Sequence, residues 1–584
     1  MYYQKKNFKE TKGITLIALV LTIIILLILA GVTISALSGD NGILNNATKA
    51  KEETEKASRE ENAILQGLLD EMDNINPSTD GFNEAKNVNS PKLSQGMIPI
   101  KYNGSNWVVC AEDDDDWYSY DNNKKWANVM LSDGKYKEGQ VQVGQVVEEN
   151  ELGSMYVWIP RYAYKINGTN SIDVTFLAGN TNRDGAGTEY AKESAEVDTT
   201  TTKIVHPGFT LGNRELRGIW VAKFEASGTD SNGNAVGNAS ADSGSQKYAP
   251  VSGVTIAKSL PNKISWRHIT IGESEYQSML IAGDNKDKYG LNGASSHLIK
   301  NNEWGAVAYL CYSSYGTVPK TNSCGTLVQD SHWYDLYTGQ GPKTSTNEGW
   351  YSYEEGHGYN TTIGMLSSTT GNITGVYDMA GGAYERVAGY LDNGNGNLNT
   401  YGKSTSNSSI KYFESGTLKS EYKDLWNSYE VSEEEKTNKI QIEGEGTLTQ
   451  SQLWNWNKND LKYQEARKRL TQAIYENMAV HKGIGINEVS TGFSFYAPYK
   501  PAETAKNQAP WGWFKNPETA AKNNPSQEYG KAWSNDNMLI GHASLPFVVR
   551  GGYCTNGSGA GVLCAHITDG YAYYDYGFRA VLVV

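Results

Sequence analysis

Between Ile14 and Ala36 the chain reads ITLIALVLTIIILLILAGVTISA, 23 residues with no charged side chain, and no other stretch narrows the available architectures as much. A helix rising about 1.5 Å per residue crosses a hydrocarbon layer about 30 Å thick in roughly 20 residues. The run therefore predicts a transmembrane helix over 14–37. Lys5, Lys6, Lys9 and Lys12 precede it, and Asp40 opens an acidic region after it. The positive-inside rule then leaves the leader, 1–13, in the cytoplasm and the bulk of the chain outside. A single-pass protein of the cell membrane with an extracellular C-terminal region is the expectation. An ordinary secretory signal has a shorter apolar core and a clear small-residue cleavage site after it, and this run fits neither condition.

After a turn at Ser38–Gly42, the stretch from Asn45 to Asp73 is rich in Ala, Glu and Lys, with apolar residues at Ile64, Leu65, Leu68, Leu69 and Met72. That is helical spacing. Lys51 with Glu55 and Lys56 with Glu60 fall one turn apart, so 38–76 reads as an amphipathic stalk helix ended by Asn76, Pro77 and Ser78. Just upstream of the apolar run, Lys12, Gly13, Ile14, Thr15, Leu16 and Ile17 resemble the processing site of type IV prepilins and pseudopilins. The resemblance implies cleavage between Gly13 and Ile14, with the apolar helix kept on the mature protein and pilin-like subunits as partners. It departs at Ala18, where that family usually carries a glutamate used in filament assembly. The departure favours a minor or tip subunit, or a protein that stays in the membrane, over a major filament subunit.

The 584 residues carry a formal charge of -13, which argues against nucleic acid as a partner because phosphate binding needs clustered Lys and Arg. Gly (61), Tyr (38) and Trp (15) are abundant, a mix suited to turn-rich β structure with aromatic surfaces. The five cysteines, Cys110, Cys311, Cys324, Cys554 and Cys564, include no CxxC pair, so neither a zinc site nor a disulfide scaffold is signalled. Runs such as IPIKYNGSNWVV (98–109) and SMYVWIPRYAYKI (154–166) predict short strands and make 77–205 a β-rich region. The acidic run Glu112, Asp113, Asp114, Asp115, Asp116 leaves a structural calcium open, but lacks the spaced ligands of an EF-hand, and a solvated loop is the competing reading. Otherwise no cofactor is expected. The polar stretches 179–202 and 227–246 read as long loops, and the first is the expected domain boundary.

From His206 onward, four landmarks occur in a telling order: GIWVAKFEAS (218–227), SHLIKNNEWGAVAYL (296–310), GVYDMAGGAYERVAGY (375–390), and the pair VVRGGYC (548–554) and GFRAVLVV (577–584). Together they resemble the formylglycine-generating enzyme superfamily, whose domain is a variant of the C-type lectin fold. The resemblance implies an α+β chain in which 206–584 is a C-type-lectin-like domain, interrupted by an insertion at about 421–482. Arg550, Glu385 and Arg579 are then candidates for buried, structural charge pairs. Within the insertion, Trp454 and Trp456 read as packing residues.

The family's copper chemistry needs two thiols separated by four residues, whereas Cys554 and Cys564 stand ten positions apart. No two histidines have the His-x-x-x-His spacing of the iron-dependent branch, and no Gly-x-Ser-x-Gly elbow occurs. An enzyme is not expected; a copper-dependent extracytoplasmic oxidase remains the alternative, since two soft thiolates take Cu(I) if the chain brings them together. A structural minor pilin is the third reading.

The segment 553–576, YCTNGSGAGVLCAHITDGYAYYDY, mixes Tyr, Asp, Thr, Ser, Gly and Asn as adaptable paratopes do. It contains no Lys, Glu, Gln, Met or Trp, the five residues that an AAC or AAT codon cannot reach by changes at its adenines. In this it resembles the variable region of diversity-generating retroelement targets, which use a lectin-like scaffold. By that resemblance Tyr553, Cys554, Thr555, Leu563, Cys564, Ala565, His566, Ile567, Thr568, Asp569, Tyr571, Tyr573, Tyr574, Asp575 and Tyr576 are candidate contacts for an extracellular protein or glycan. The competing reading is a fixed loop whose tyrosines pack on the domain. The favoured function is a cell-surface or pilus-associated adhesin or receptor.

Overall fold

The computed structural model describes residues 77–167, 171–192, 201–228, 256–317, 337–341, 355–392, 396–430, 441–442, 446–447, 528–531, 537–540, 545–553 and 561–584. The leader with Gly13 and Ile14, the transmembrane helix 14–37, the stalk 38–76, Cys554, Thr555, Trp454 and Trp456 lie outside the described residues.

Aromatic and β-branched runs become strands wherever the sequence places them between turn residues. Met155–Pro160 (MYVWIP) and Gly218–Ala222 (GIWVA) are buried at every position, as expected of strands covered on both faces. They pair antiparallel through five residues, Gly218↔Pro160 to Ala222↔Tyr156. Around them grows an eight-stranded sheet in the order Ser295–Leu298, Ala580–Val583, Gly218–Ala222, Met155–Pro160, Asn128–Leu131, Met97–Tyr102, Trp107–Val109, Val146–Val147. Among the described residues the protein is rich in strands and poor in helices.

That sheet overturns the expected boundary within 179–202. Strands from the supposed β-rich region (97–160) and from the supposed separate domain (218–222, 295–298, 580–583) hydrogen-bond in one continuous array. Pro77–Val584 is accordingly one compact unit. The polar loop marks an excursion over the surface between two strands of a shared core.

A second sheet carries the candidate face. Tyr384–Asp392 lies beside Phe547–Arg550, which pairs antiparallel with Ala565–Thr568; Asn427–Glu430 and Tyr576–Phe578 run parallel to Tyr384–Asp392. The chain passes from this sheet to the first at one residue. Tyr576–Phe578 belongs to the second sheet, Ala580–Val583 to the first, and Arg579 sits between them, fully buried. Its Nε donates to Glu385 Oε2 at 2.6 Å, Nη1 to Ala222 O at 3.1 Å and Nη2 to Tyr377 O at 2.9 Å. One guanidinium therefore ties both sheets together, as charge-assisted bonds in a dry interior can.

The helix Asn301–Cys311 is buried on all sides, which its uniformly small and apolar middle, Gly305–Ala308, permits. Glu303 anchors its start by accepting from Lys300 N at 2.8 Å and meeting His297 Nε2 at 2.9 Å. Trp304 donates from its indole to Val562 O at 2.8 Å. Cys311 is disulfide-bonded, which the sparse cysteine pattern did not signal, while Cys110 and Cys564 are buried thiols outside any disulfide. In the acidic run, Asp114 pairs with Lys101 at 2.7 Å and accepts from Asp116 N at 2.8 Å, while Glu112, Asp113, Asp115 and Asp116 are exposed. Among the described residues no cluster of His, Cys, Asp and Glu is arranged to hold a metal ion.

Candidate ligand-binding face

The Phe547–Arg550 strand ends in Gly551, Gly552 and the buried Tyr553. Farther along, the strand Ala565–Thr568 pairs in register with the first, Arg550↔Ala565 to Phe547↔Thr568. All four side chains of this strand are buried, as are Leu563 and Cys564. Here the sequence reading needs correction. Tyr553, Leu563, Cys564, Ala565, His566, Ile567 and Thr568 lie inside and offer no free surface, and so does Asp575. A strand with neighbours across both faces must fill both with side chains, so small and polar residues are enclosed along with apolar ones.

The chain reaches the surface at Asp569. Asp569 Oδ1 accepts from Tyr571 N at 2.8 Å, and Thr568 Oγ1 accepts from Gly570 N at 3.2 Å. These side-chain bonds replace a backbone ladder at the corner. Gly570 turns there with φ +92°, and a Cβ would stand 2.7 Å from the Phe547 ring. Only glycine meets both demands.

Beyond the turn, backbone carbonyls of the segment are held from beneath. Gly570 O accepts from Ile271 N at 3.1 Å, Tyr573 O from His268 N at 3.0 Å, and Asp575 O from Tyr384 N at 2.8 Å. Two buried arginines take two more: Arg267 Nη1 donates to Tyr574 O at 2.6 Å, and Arg386 Nη2 donates to Tyr571 O. Arg386 also donates from Nε to Ile269 O at 2.9 Å, and its guanidinium lies 5.0 Å from the Tyr576 ring centre. Burial draws the Arg386 pKa down to about 10, still charged near neutral pH. Such a scaffold fixes the backbone of the loop while its side chains project.

Those side chains form a connected tyrosine array. Tyr401, on the helix Gly396–Tyr401, meets Tyr571 edge-on at 5.5 Å; Tyr571 meets Tyr573 at 5.5 Å, Tyr573 meets Tyr576 at 5.1 Å, and Tyr576 meets Tyr384 at 5.3 Å. Tyr384 stacks on Tyr553 at 6.2 Å, and Tyr553 meets Tyr574 at 6.0 Å. Edge-to-face pairs at these separations are each worth about 0.5–1.5 kcal/mol beyond area burial. Tyr574 is 39% exposed, and Asp569, Tyr571, Tyr573, Tyr576 and Tyr401 are half-buried. Asp569 also accepts from the Tyr573 hydroxyl at 3.2 Å, and that carboxylate adds to burial in holding the Tyr573 phenol protonated.

Under the face the electrostatics are unusual. Burial pushes the Asp575 carboxyl up to about 7, against the pull of Arg386 and Arg267. In the strand, burial drives His566 down to about 4. Deeper still, Glu225, Asp378 and Glu385 surround Arg579. Glu225 accepts from Ala383 N at 2.9 Å and from the Ser265 hydroxyl, and Asp378 accepts from Gly339 N with both oxygens at 2.9 Å. Burial and the charges of Glu385 and Asp378 hold Glu225 well above the usual carboxylate range, and burial lifts Asp378 to about 7. Three carboxyls facing one guanidinium are tolerated because protons neutralise part of the set. The expected Glu385–Arg579 pair is present, and it is structural.

Tyr401, Arg267, His268, Tyr384 and Arg386 were missed from sequence. Arg386 follows Glu385 directly within the YERVAGY motif, and a charged pair inside a strand with no polar neighbours is the signal that could have found it. The other four come from distant segments with no local signature. No family model matches the chain, and no curated protein is similar to it.

Proposed function

We propose that this chain is a membrane-anchored, extracellular ligand-binding protein of lectin-like scaffold, and that it engages a protein or glycan through the tyrosine face formed by Asp569, Tyr571, Tyr573, Tyr574 and Tyr576 with Tyr401. The observation that carries this reading is the division of labour in residues 570–575: five backbone carbonyls are held by framework groups while the tyrosine side chains line the surface. A pre-ordered backbone spares the entropy of ordering a loop on binding, and tyrosine supplies contact area with few rotatable bonds. The anchor is the apolar segment 14–36, and the chain's negative charge keeps nucleic acid out of the partner list. The same face is the proposed site of diversification, by the resemblance to retroelement targets, since it carries the accessible side chains of the segment.

The test is to sequence this locus across closely related isolates and compare the codons for 553–576 with the flanking framework. The expected result is substitutions at adenine positions concentrated in codons 569, 571, 573, 574 and 576. An unvaried segment overturns diversification and leaves a fixed adhesin, and changes spread evenly into codons 563–568 overturn the confinement of diversification to the tyrosine face.

A further inference from the structure

A cavity of about 500 Å³ opens beside the helix Gly396–Tyr401, between the loop 402–412 and the hairpin that pairs Phe413 with Leu418. Lys403, Lys411 and Lys419 line it with Asn399, Ser408 and Ser409. Three ammonium groups face a single lining carboxylate, Glu414, in a chain whose net charge is -13.

The pairing of two of these lysines points to a ligand. Lys403 and Lys411 are directly opposite each other across an antiparallel bridge, an arrangement of like charges that costs on the order of 0.2–1 kcal/mol. Among the described residues, neither ammonium has a carboxylate within 4.0 Å, and Lys419 reaches only Glu421, at 4.0 Å. The loop that holds the pair is not free to spread them. Glu273, buried at the start of the helix Ile271–Leu280, accepts from Thr405 N at 2.7 Å, Ser406 N at 3.0 Å and the hydroxyls of Ser404 and Ser406 at 2.9 and 2.7 Å. Ser404 N donates to Ile410 O at 2.9 Å and Tyr412 N to Gly402 O at 3.0 Å, while Asn399 Oδ1 accepts from Gly416 N at 2.9 Å. A buried carboxylate thus locks a loop that places two lysines opposite each other at the cavity. An anion in the cavity is within the field of both ammonium groups.

We propose that this cavity binds the carboxylate-bearing unit of an acidic saccharide, a uronic acid being the simplest. Lysine ammoniums act as point charges that attract a carboxylate, phosphate or sulfate alike, so the uncharged lining carries the choice of a saccharide. The serine hydroxyls and the Asn399 amide suit ring hydroxyls, and the volume falls within the range of small-molecule sites. The inference stands apart from the tyrosine face, although the helix Gly396–Tyr401 contributes Asn399 to the cavity and Tyr401 to the face, so a longer saccharide has a route from one to the other.

The experiment is calorimetric titration of the full chain with a trigalacturonate, its carboxyl-reduced neutral counterpart and inorganic sulfate. Saturable trigalacturonate binding is expected, absent for the reduced sugar, weakened about tenfold by Lys403→Gln/Lys411→Gln, retained in Lys403→Arg/Lys411→Arg, and falling between about 0.05 and 0.3 M salt as screening grows. Both lysines are exposed, so the glutamine pair keeps its fold, checked by an unchanged thermal transition. Tyr574→Ala leaves this affinity unchanged, which separates failure here from failure of the tyrosine face. No binding, equal binding of the reduced sugar, equal binding of sulfate as an adventitious ion only, or full affinity in the glutamine variant each overturns the proposal.

Discussion

Residues 561–568 (GVLCAHIT) and 569–576 (DGYAYYDY) adjoin in sequence within one segment that reads as adaptable, yet the protein treats them oppositely. The first stretch enters the second sheet and is enclosed at every position. The second leaves the sheet through the Asp569–Gly570 corner and lies over buried arginines, with Tyr574 exposed and Tyr571, Tyr573 and Tyr576 half-buried. What separates them is the neighbour each backbone finds. The strand 565–568 satisfies its amides on Phe547–Arg550, while the loop carbonyls depend on Arg267, His268 and Arg386. The apolar Val562, Leu563 and Ile567 suit the enclosed half and the four tyrosines the outer one, and the hydrogen-bond partners fix the backbone of each.

Leu563→Ala is the strongest way to break this comparison. Leu563 is fully buried, so the truncation is expected to cost about 3 kcal/mol through lost burial and a residual cavity, read as a shift in the denaturant midpoint at unchanged slope. A cost below about 0.5 kcal/mol would show that 561–568 is as tolerant as the surface loop. The division between the halves would then fail.

That a leucine flagged as a ligand contact is core shows where sequence reading ends. The strands within 98–109 and 154–166 were legible because turn residues bracket short aromatic or β-branched runs, whereas the strands at 218–222 and 547–550 and the helix Asn301–Cys311 fall on stretches marked only by a family resemblance. The shared eight-stranded sheet was not, because the pairing of Gly218–Ala222 with Met155–Pro160 spans a long polar loop that looks locally like a linker. Nor was the support of the candidate face: Arg267, Arg386 and Tyr401 reach 571–576 from far along the chain. The surface residues Tyr571, Tyr573 and Tyr574 were found from composition alone, which reports tolerance to exposure but not the partner that fixes the backbone.

Proton linkage sharpens the contrast, because each half holds one perturbed group of opposite sign. His566, in the strand, is drawn down to about 4 by burial. The unfolded chain binds the proton more readily, so this group's contribution rises with pH from about 4 to about 6.5 and is level above that. Asp575, in the loop, is pushed up to about 7 by burial. The folded chain then binds the extra proton, so its contribution is full below about 4 and is lost as pH rises through 7. Between pH 6.5 and 8 only the second effect operates for this pair. Wild-type stability relative to Asp575→Asn is expected to fall across that window by on the order of 1 kcal/mol, measured by parallel denaturant titrations, while relative to His566→Gln it stays level. A difference from Asp575→Asn that is flat over the window would place Asp575 in contact with solvent water.

The smallest expected change in stability tests the functional half of the comparison. Tyr574 is 39% exposed, its carbonyl rather than its ring is held by Arg267, and its ring touches the array at Tyr553. Tyr574→Ala removes a 39% exposed ring, with its edge-on contact to Tyr553, and leaves the backbone pins intact, so stability should move by no more than about 0.5 kcal/mol, well below the cost of Leu563→Ala. Under the proposed function, a ring that adds this little to the fold and lies at the accessible end of a rigid aromatic array contributes contact area to a ligand, as tyrosines buried on association do. A loss above about 2 kcal/mol in the thermal or denaturant transition would make Tyr574 a structural residue like Tyr553, and the face would shrink to Tyr571, Tyr573 and Tyr576 around the Asp569 corner.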